Sequence, residues 1–359
     1  MPTLDEVSDN GFTINNPITK VEDMALTSLR LALKAFCSTY QSMSYGFPAF
    51  RTGALQQLSE KSVFMHSFDY YENYIETVIH LHHFLELSLK KVLRREHPLL
   101  AVETQDKPDL YYKLVKGEEI GEEEYAQINT IEFSKTLNRM KPLIVSEVKA
   151  GNMQHHWLLS EFPVLEKLNR LRNRVWHRGT YVLSYNALDI FVGKYVLPIA
   201  LRLATEELHG DGRVWKHQPL KCEVDPLTMI IAEAQKYPYN AHKVAYLKEM
   251  GRAAYVNPLS SINAEFGLET HDYIKKAQRL AELEHSYMFK SKRLECPVCG
   301  VDTFIAFSVI EDEAYDKVTG ERVSIEIFVE AECTLCTFKV YDTLGNPSAH
   351  GIPIPDLWT

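Results

Sequence analysis

Two Cys-x2-Cys pairs, Cys296-Pro297-Val298-Cys299 and Cys333-Thr334-Leu335-Cys336, restrict the fold of this chain more than any other feature. Each short loop presents two sulfurs from one turn, and two such loops together supply the four ligands of a tetrahedral zinc ion. Between them, 303–309 and 323–329 are β-branched and aromatic with partial alternation, 316–322 contains Gly320 and reads as a turn, and 338–341 offers a third strand. The expectation is a small β zinc ribbon over 293–345, followed by a tail over 346–359. All-cysteine sites are closed, so a metal held by Cys296, Cys299, Cys333 and Cys336 is expected to be structural. The acidic run Glu311-Asp312-Glu313 argues against a phosphate-gripping face on the ribbon.

The remainder reads as helical. Over 68–95, Val78, Leu81, Leu85, Leu89 and Val92 recur at three- and four-residue steps opposite a polar stripe of His83, Glu86, Lys90 and Arg94. A weaker candidate over 133–148 is interrupted by Pro142. The run 162–176 places Val164, Leu168, Leu171 and Val175 on one face, and 184–207 keeps helical period, with Pro198 expected to kink or split it. Four amphipathic helices bury a shared core as a bundle. The expected organisation is an N-terminal helical segment over 1–67, a bundle over 68–209 with an insertion at about 96–130, a helical connector over 210–292, then the ribbon and tail.

One segment carries chemistry: Leu171-Arg172-Asn173-Arg174-Val175-Trp176-His177-Arg178-Gly179. RNA contains its own nucleophile, the 2′-hydroxyl, so cleaving it requires only proton movement and charge stabilisation. Imidazole moves protons near neutral pH, and the guanidinium fork suits a phosphate that gains negative charge. Five residues along a straight helix separate two side chains by about 140° around the axis. Either the helix ends near Trp176, ahead of Gly179, and lets His177 swing back toward Arg172, or a second subunit completes the site.

Arg172-Asn173-x-x-x-His177-x-Gly179 resembles the R-x4–6-H motif of the HEPN superfamily, small helical domains found in prokaryotic toxins and defence ribonucleases. Upstream, Glu86-x-x-Leu89-Lys90-x-x-Leu93 is similar to the pattern common on the first long helix of that domain. The resemblance spans about 68–207. It implies a mainly α fold, a HEPN-like four-helix bundle with additional helices beside the small C-terminal β zinc ribbon. It also implies a metal-independent endoribonuclease, a toxin or anti-phage defence effector, in which Arg172 stabilises the phosphate, His177 is the general acid or base and Asn173 supports them. Family members with activity face two motif copies across a homodimer, so RNA, a second copy and an inhibitor or sensor are the partners it implies. Some members are inactive, and the alternative it leaves is a non-catalytic RNA- or protein-binding module.

The formal net charge of −9 argues against a nonspecific nucleic-acid coat protein. Against that average, Arg170, Arg174 and Arg178 crowd the motif, and Lys90, Lys91 and Arg94 close the first long helix, so these six are the expected RNA contacts beyond the motif itself. His80, His82 and His83, with Glu76 and Glu86, would carry a third reading as a zinc hydrolase. No His-Glu-x-x-His occurs, and packed or hydrogen-bonded histidines are expected instead. The polar start over 1–20 lacks the pattern of a signal peptide, and no apolar run is long enough to span a membrane. Cys37 and Cys222 are left as free buried thiols, which with the zinc knuckles fits a reducing, cytoplasmic compartment.

Overall fold

The computed structural model describes residues 20–46, 67–103, 107–118, 120, 124, 128–179, 181–206, 212–260, 270–287, 291–315 and 322–354. The turn expected at Gly320, the side chains of the acidic run 311–313 and most of the N-terminal segment 1–67 lie outside the described residues. The chain is mainly helical, with one small antiparallel sheet at the C-terminal end. Among the described residues no helix is long and apolar enough to cross a membrane. The elements group into two compact units interleaved along the chain. One takes Met1–Arg30, His80–Asn169 and Ala200–Trp215; the other takes Leu31–Ile79, Arg170–Ile199 and Lys216–Thr359. The expected segments are consecutive, whereas these units are assembled from pieces distant in sequence.

Helices α1 (Lys20–Ser38), α2 (Phe68–Glu96), α3 (Pro108–Lys116), α4 (Phe133–Lys149) and α5 (Leu158–Arg178) come first. In the first unit, α2 buries Leu81, Leu85, Leu89 and Val92, which is the stripe read from the sequence. Pro142 does not interrupt α4. Phe133, Leu137, Met140 and Ile144 are buried on either side of it, and their burial holds the helix through the one backbone hydrogen bond a proline removes. The segment read as an insertion is pinned at both ends: Val102 bridges Thr130, and Arg139 donates to the carbonyls of Leu99, Leu100 and Val102 at 3.2, 3.0 and 2.9 Å. It contains α3, so it is not simply a connector.

Later in the chain come α6 (Tyr185–Ile190), a π-helical turn Phe191–Val196, α7 (Leu197–Glu206), α8 (Gly212–Trp215), α9 (Pro226–Ala234), α10 (Ala241–Val256) and α11 (Thr270–Tyr287). Of these, α8 and most of α7 belong to the first unit and the others to the second. Pro198 sits at the start of α7, just beyond the π turn. It has no N–H to offer the Lys194 carbonyl, and Gln235 Nε2 donates to that oxygen at 3.1 Å. The expected break is thus absorbed by a change in helix type. Strands β1 (Ser291–Glu295), β2 (Asp302–Tyr315), β3 (Arg322–Cys333) and β4 (Lys339–Tyr341) form an antiparallel meander in chain order.

Every residue of α10 from Val244 to Tyr255 is buried, including Lys248, Glu249 and Arg252. Asn240 caps its first turn by accepting from the Lys243 N–H at 3.0 Å. Gly251 allows the closest approach, since a Cβ there would fall 2.7 Å from Cys37 Sγ of α1. Lys248 Nζ donates to Asp189 Oδ1 of α6 at 2.6 Å and lies over the rings of Phe36 and Tyr185. Burial pushes the Asp189 carboxyl up and the Lys248 amine down, and their mutual hydrogen bond opposes both shifts.

Removing one partner leaves the other buried without compensation, so Lys248→Ala is expected to cost about 3–5 kcal/mol in urea denaturation. The double variant Lys248→Met with Asp189→Leu is expected to recover most of that loss, because neither charge then remains in the core.

Candidate functional site

The cysteine centre is built from two turns of the same local shape. In the first, between β1 and β2, the Gly300 N–H donates to the Cys296 carbonyl at 2.9 Å; in the second, between β3 and β4, the Thr337 N–H donates to the Cys333 carbonyl, also at 2.9 Å. Both donors are left-handed, with φ of 74° and 58°. Glycine takes that conformation freely, whereas threonine does so at a cost. Thr337 is held there from α10: Arg252 donates to its carbonyl and, at 3.1 Å, to its Oγ1. Glu249 binds Arg252 at 2.7 and 2.8 Å and also accepts the Lys339 N–H at 2.8 Å. The first turn is clipped by Lys221 and Cys222, whose N–H groups donate to the carbonyls of Val298 and Pro297 at 3.1 and 3.0 Å.

These turns bring all four cysteine sulfurs within 4.8 Å of one another. Cys296 lies 3.6 Å from Cys336, and Cys299 lies 3.7 Å from Cys333. A disulfide needs about 2.0 Å, whereas metal–sulfur bonds of about 2.3 Å in a tetrahedron separate sulfurs by about 3.8 Å. The arrangement is therefore compatible with a zinc site. Burial pushes the Cys296 and Cys336 thiols up, while hydrogen bonds led by Cys296 hold Cys299 and Cys333 down. Thr303 Oγ1 lies 3.2 Å from Cys333 Sγ and adds to that. Among the described residues this is the one cluster of three or more metal-ligating side chains. The histidines of α2 are engaged elsewhere: His82 Nε2 meets Asn169 Oδ1 at 3.0 Å, and His83 Nδ1 meets Ser28 Oγ at 2.8 Å. Cys37 is buried, and burial pushes its thiol up to about 12. Cys222 is only half-buried.

The arginine-histidine segment forms the last two turns of α5, which continues through His177 to Arg178. Gly179 ends it with φ of 60° and an N–H bond to the Val175 carbonyl at 3.1 Å. The expected early end at Trp176 does not occur, so His177 does not swing back. Arg172 and His177 stay about 140° apart around the axis, and Arg172 donates to Asn173 Oδ1 at 2.9 Å. Helical spacing sets His177 instead beside Asn173 and Arg174, one turn earlier. Leu171 and Val175 are buried, Arg172 is half-buried, and Asn173, Arg174, Trp176, His177 and Arg178 are exposed, as is Arg170. Trp176 is 62% exposed, and the Arg174 guanidinium stacks on Tyr181 at 3.4 Å. Neither aromatic belongs to the motif. A tryptophan on the polar arc of an amphipathic helix is the sequence signal for the first; the second lies beyond the helix, where helical period gives no signal.

The second basic group faces solvent only in part. Lys90, expected on the solvent-facing stripe, is instead buried, donating to Glu86 at 2.6 Å and to Thr130 Oγ1 at 3.2 Å. Its side chain lies toward the core edge of α2, where Glu86 compensates the charge. Lys91 and Arg94 are half-buried. Arg94 lines a mainly apolar hollow of about 290 Å³ with Pro98, Val102, Leu114, Glu118, Ile120 and Ile128.

No family model, curated protein or solved structure matches this chain.

Substitution of any of the four cysteines by serine is expected to abolish metal retention, against one zinc per wild-type chain by native mass spectrometry. Arg252→Met is expected to keep all four ligands yet lose zinc to a chelator at least about tenfold faster, as outer-shell partners do when removed.

Proposed function

We propose that this chain is a metal-independent endoribonuclease of HEPN type, with a structural zinc ion in its C-terminal ribbon. The observation that carries the reading is the end of α5, where Arg170, Asn173, Arg174, His177 and Arg178 reach solvent together on an otherwise acidic chain. A phosphodiester laid against this arc meets guanidinium groups that favour the doubly charged phosphorane-like state. The 2′-oxygen bonds to phosphorus as the bond to the 5′-oxygen breaks, giving a 2′,3′-cyclic phosphate and a 5′-hydroxyl. One proton leaves the 2′-hydroxyl and one reaches the departing oxygen, both steps suited to imidazole.

Because one chain holds Arg172 and His177 about 140° apart, the catalytic reading uses two chains, with Arg172 of one facing His177 of the other. A role as a toxin or defence effector follows the same resemblance. Arg178 would add a phosphate contact outside the reacting centre; Lys91 and Arg94, on the first unit, would be separate phosphate contacts. The second reading, a non-catalytic RNA- or protein-binding module, is favoured by the same angular separation, since a single chain then offers a basic, aromatic surface without a joined catalytic pair.

Incubating the protein with mixed tRNA and messenger RNA in EDTA is expected to yield 2′,3′-cyclic phosphate ends, lost in Arg172→Ala and in His177→Ala. Mixing those two inactive chains is expected to restore about a quarter of the activity, since half of the dimers then carry one intact composite site of two. RNA binding without cleavage under every condition would favour the second reading; cleavage retained in His177→Ala would exclude the first.

A further inference from the structure

The hollow of about 290 Å³ beside the end of α2 lies wholly within the first unit. Its walls are apolar, with Val102 buried and Leu114, Ile120 and Ile128 half-buried, and among the described residues the charged groups that line it are Arg94 and Glu118. The backbone around it is fixed, since Val102 bridges Thr130 and Arg139 is committed to the carbonyls of Leu99, Leu100 and Val102. Lys113, next to Leu114 on α3, is committed to Glu124 at 2.6 Å. Arg94 and Glu118 differ from these neighbours. Among the described residues neither side chain has a hydrogen bond or an ion pair, with the other or elsewhere.

That combination selects a ligand. A guanidinium presents a planar fork of donors that a carboxylate matches, and a carboxylate at the same hollow suits an ammonium. Between them the walls offer branched aliphatic side chains, which gain from covering an apolar group and give a sugar or a base nothing to hydrogen-bond with. A simple fatty acid would set its carboxylate near Glu118, and a simple amine would set its ammonium near Arg94. A molecule that carries one acid, one amine and one apolar body satisfies all three features. The volume sits at the low end for small-molecule sites, room for one side chain rather than for a peptide. We propose that the hollow binds a free α-amino acid with a large apolar side chain, its carboxylate on Arg94, its ammonium on Glu118 and its side chain against Val102, Leu114, Ile120 and Ile128. This goes beyond the RNA-cleaving reading and does not rest on it. One guanidinium cannot hold a phosphate and a carboxylate together; the RNA-cleaving reading gives Arg94 only an outlying contact, and none of its reacting groups is touched.

The test is a ligand-observed NMR titration of the zinc-loaded full chain with leucine, phenylalanine, glycine, isopentylamine and isocaproate. Wild type is expected to bind leucine and phenylalanine with Kd on the order of 100 µM, a modest affinity in keeping with so few atoms. Glycine lacks the apolar body, the amine lacks the carboxylate and isocaproate lacks the ammonium, and each is expected to bind at least about tenfold more weakly. Arg94→Met is expected to weaken leucine at least about tenfold, with zinc content and melting temperature unchanged, because its guanidinium holds no other described group of the chain. Glu118→Gln is expected to lower leucine to about the affinity of isocaproate and to leave isocaproate itself no weaker, a split that loss of the fold would not produce. No binding of either apolar amino acid at about 10 mM, leucine binding indifferent to Arg94→Met, or an amine or acid that alone equals leucine would each overturn the assignment. RNA cleavage is read separately, through Arg172 and His177, so the failure of one reading leaves the other standing.

Discussion

Glu249 and Arg252 are buried within one turn of α10, and each directs its remaining hydrogen-bonding capacity to the backbone of the second cysteine turn. This is the interaction on which the second unit depends. A carboxylate and a guanidinium taken out of water are costly unless paired and fully hydrogen-bonded. The groups that complete them belong to Thr337 and Lys339. The ribbon is therefore not an appendage of the second unit. Its knuckle satisfies charges in the central helix, and the helix in turn holds Thr337 in a backbone conformation that is unfavourable for it in isolation.

The same helix faces α6 with Lys248 and α1 with Gly251, so polar and small residues occur where a simple amphipathic pattern has none. A helix surrounded on all sides has no solvent face to mark with charges. Its charged residues report partners, and this is why α10 reads weakly as an amphipathic helix and yet is deeply enclosed in the second unit. The cysteine centre gains from this enclosure. Three of its four cysteines are buried, and the two turns are gripped from outside the ligand set by Arg252, Lys221 and Cys222. Such support from groups that do not touch the metal governs how rigidly the ligands are presented.

At the end of α5 the controlling physics is helix continuity. Gly179 terminates the helix only after Arg178, and a regular helix spreads Asn173, Arg174, Trp176 and His177 around one solvent-exposed arc with the half-buried Arg172 at its edge. Arg172 and His177 therefore stay about 140° apart around the axis of one chain. The arc as it stands presents cations, an indole and an imidazole to solvent.

Much of this is legible in the order of residues. The two Cys-x2-Cys pairs and the strands between them follow from local chemistry, since ligand spacing and β-branched alternation act over a few residues. The stripe of α2 and the buried Leu171 and Val175 of α5 follow from helical period. Periodicity also places Lys90 on the polar stripe of α2, and only packing reveals that Glu86 and Thr130 enclose it. The effects of Pro142 and Pro198 are tertiary matters too, decided by burial around one and by Gln235 beside the other. What the sequence by itself determined is the set of local shapes and the presence of four metal-ligating thiols; which charges are buried, which helices run on past their breakers, and where Arg252 finds its partners are set by contacts between distant segments, whose energies no local pattern contains.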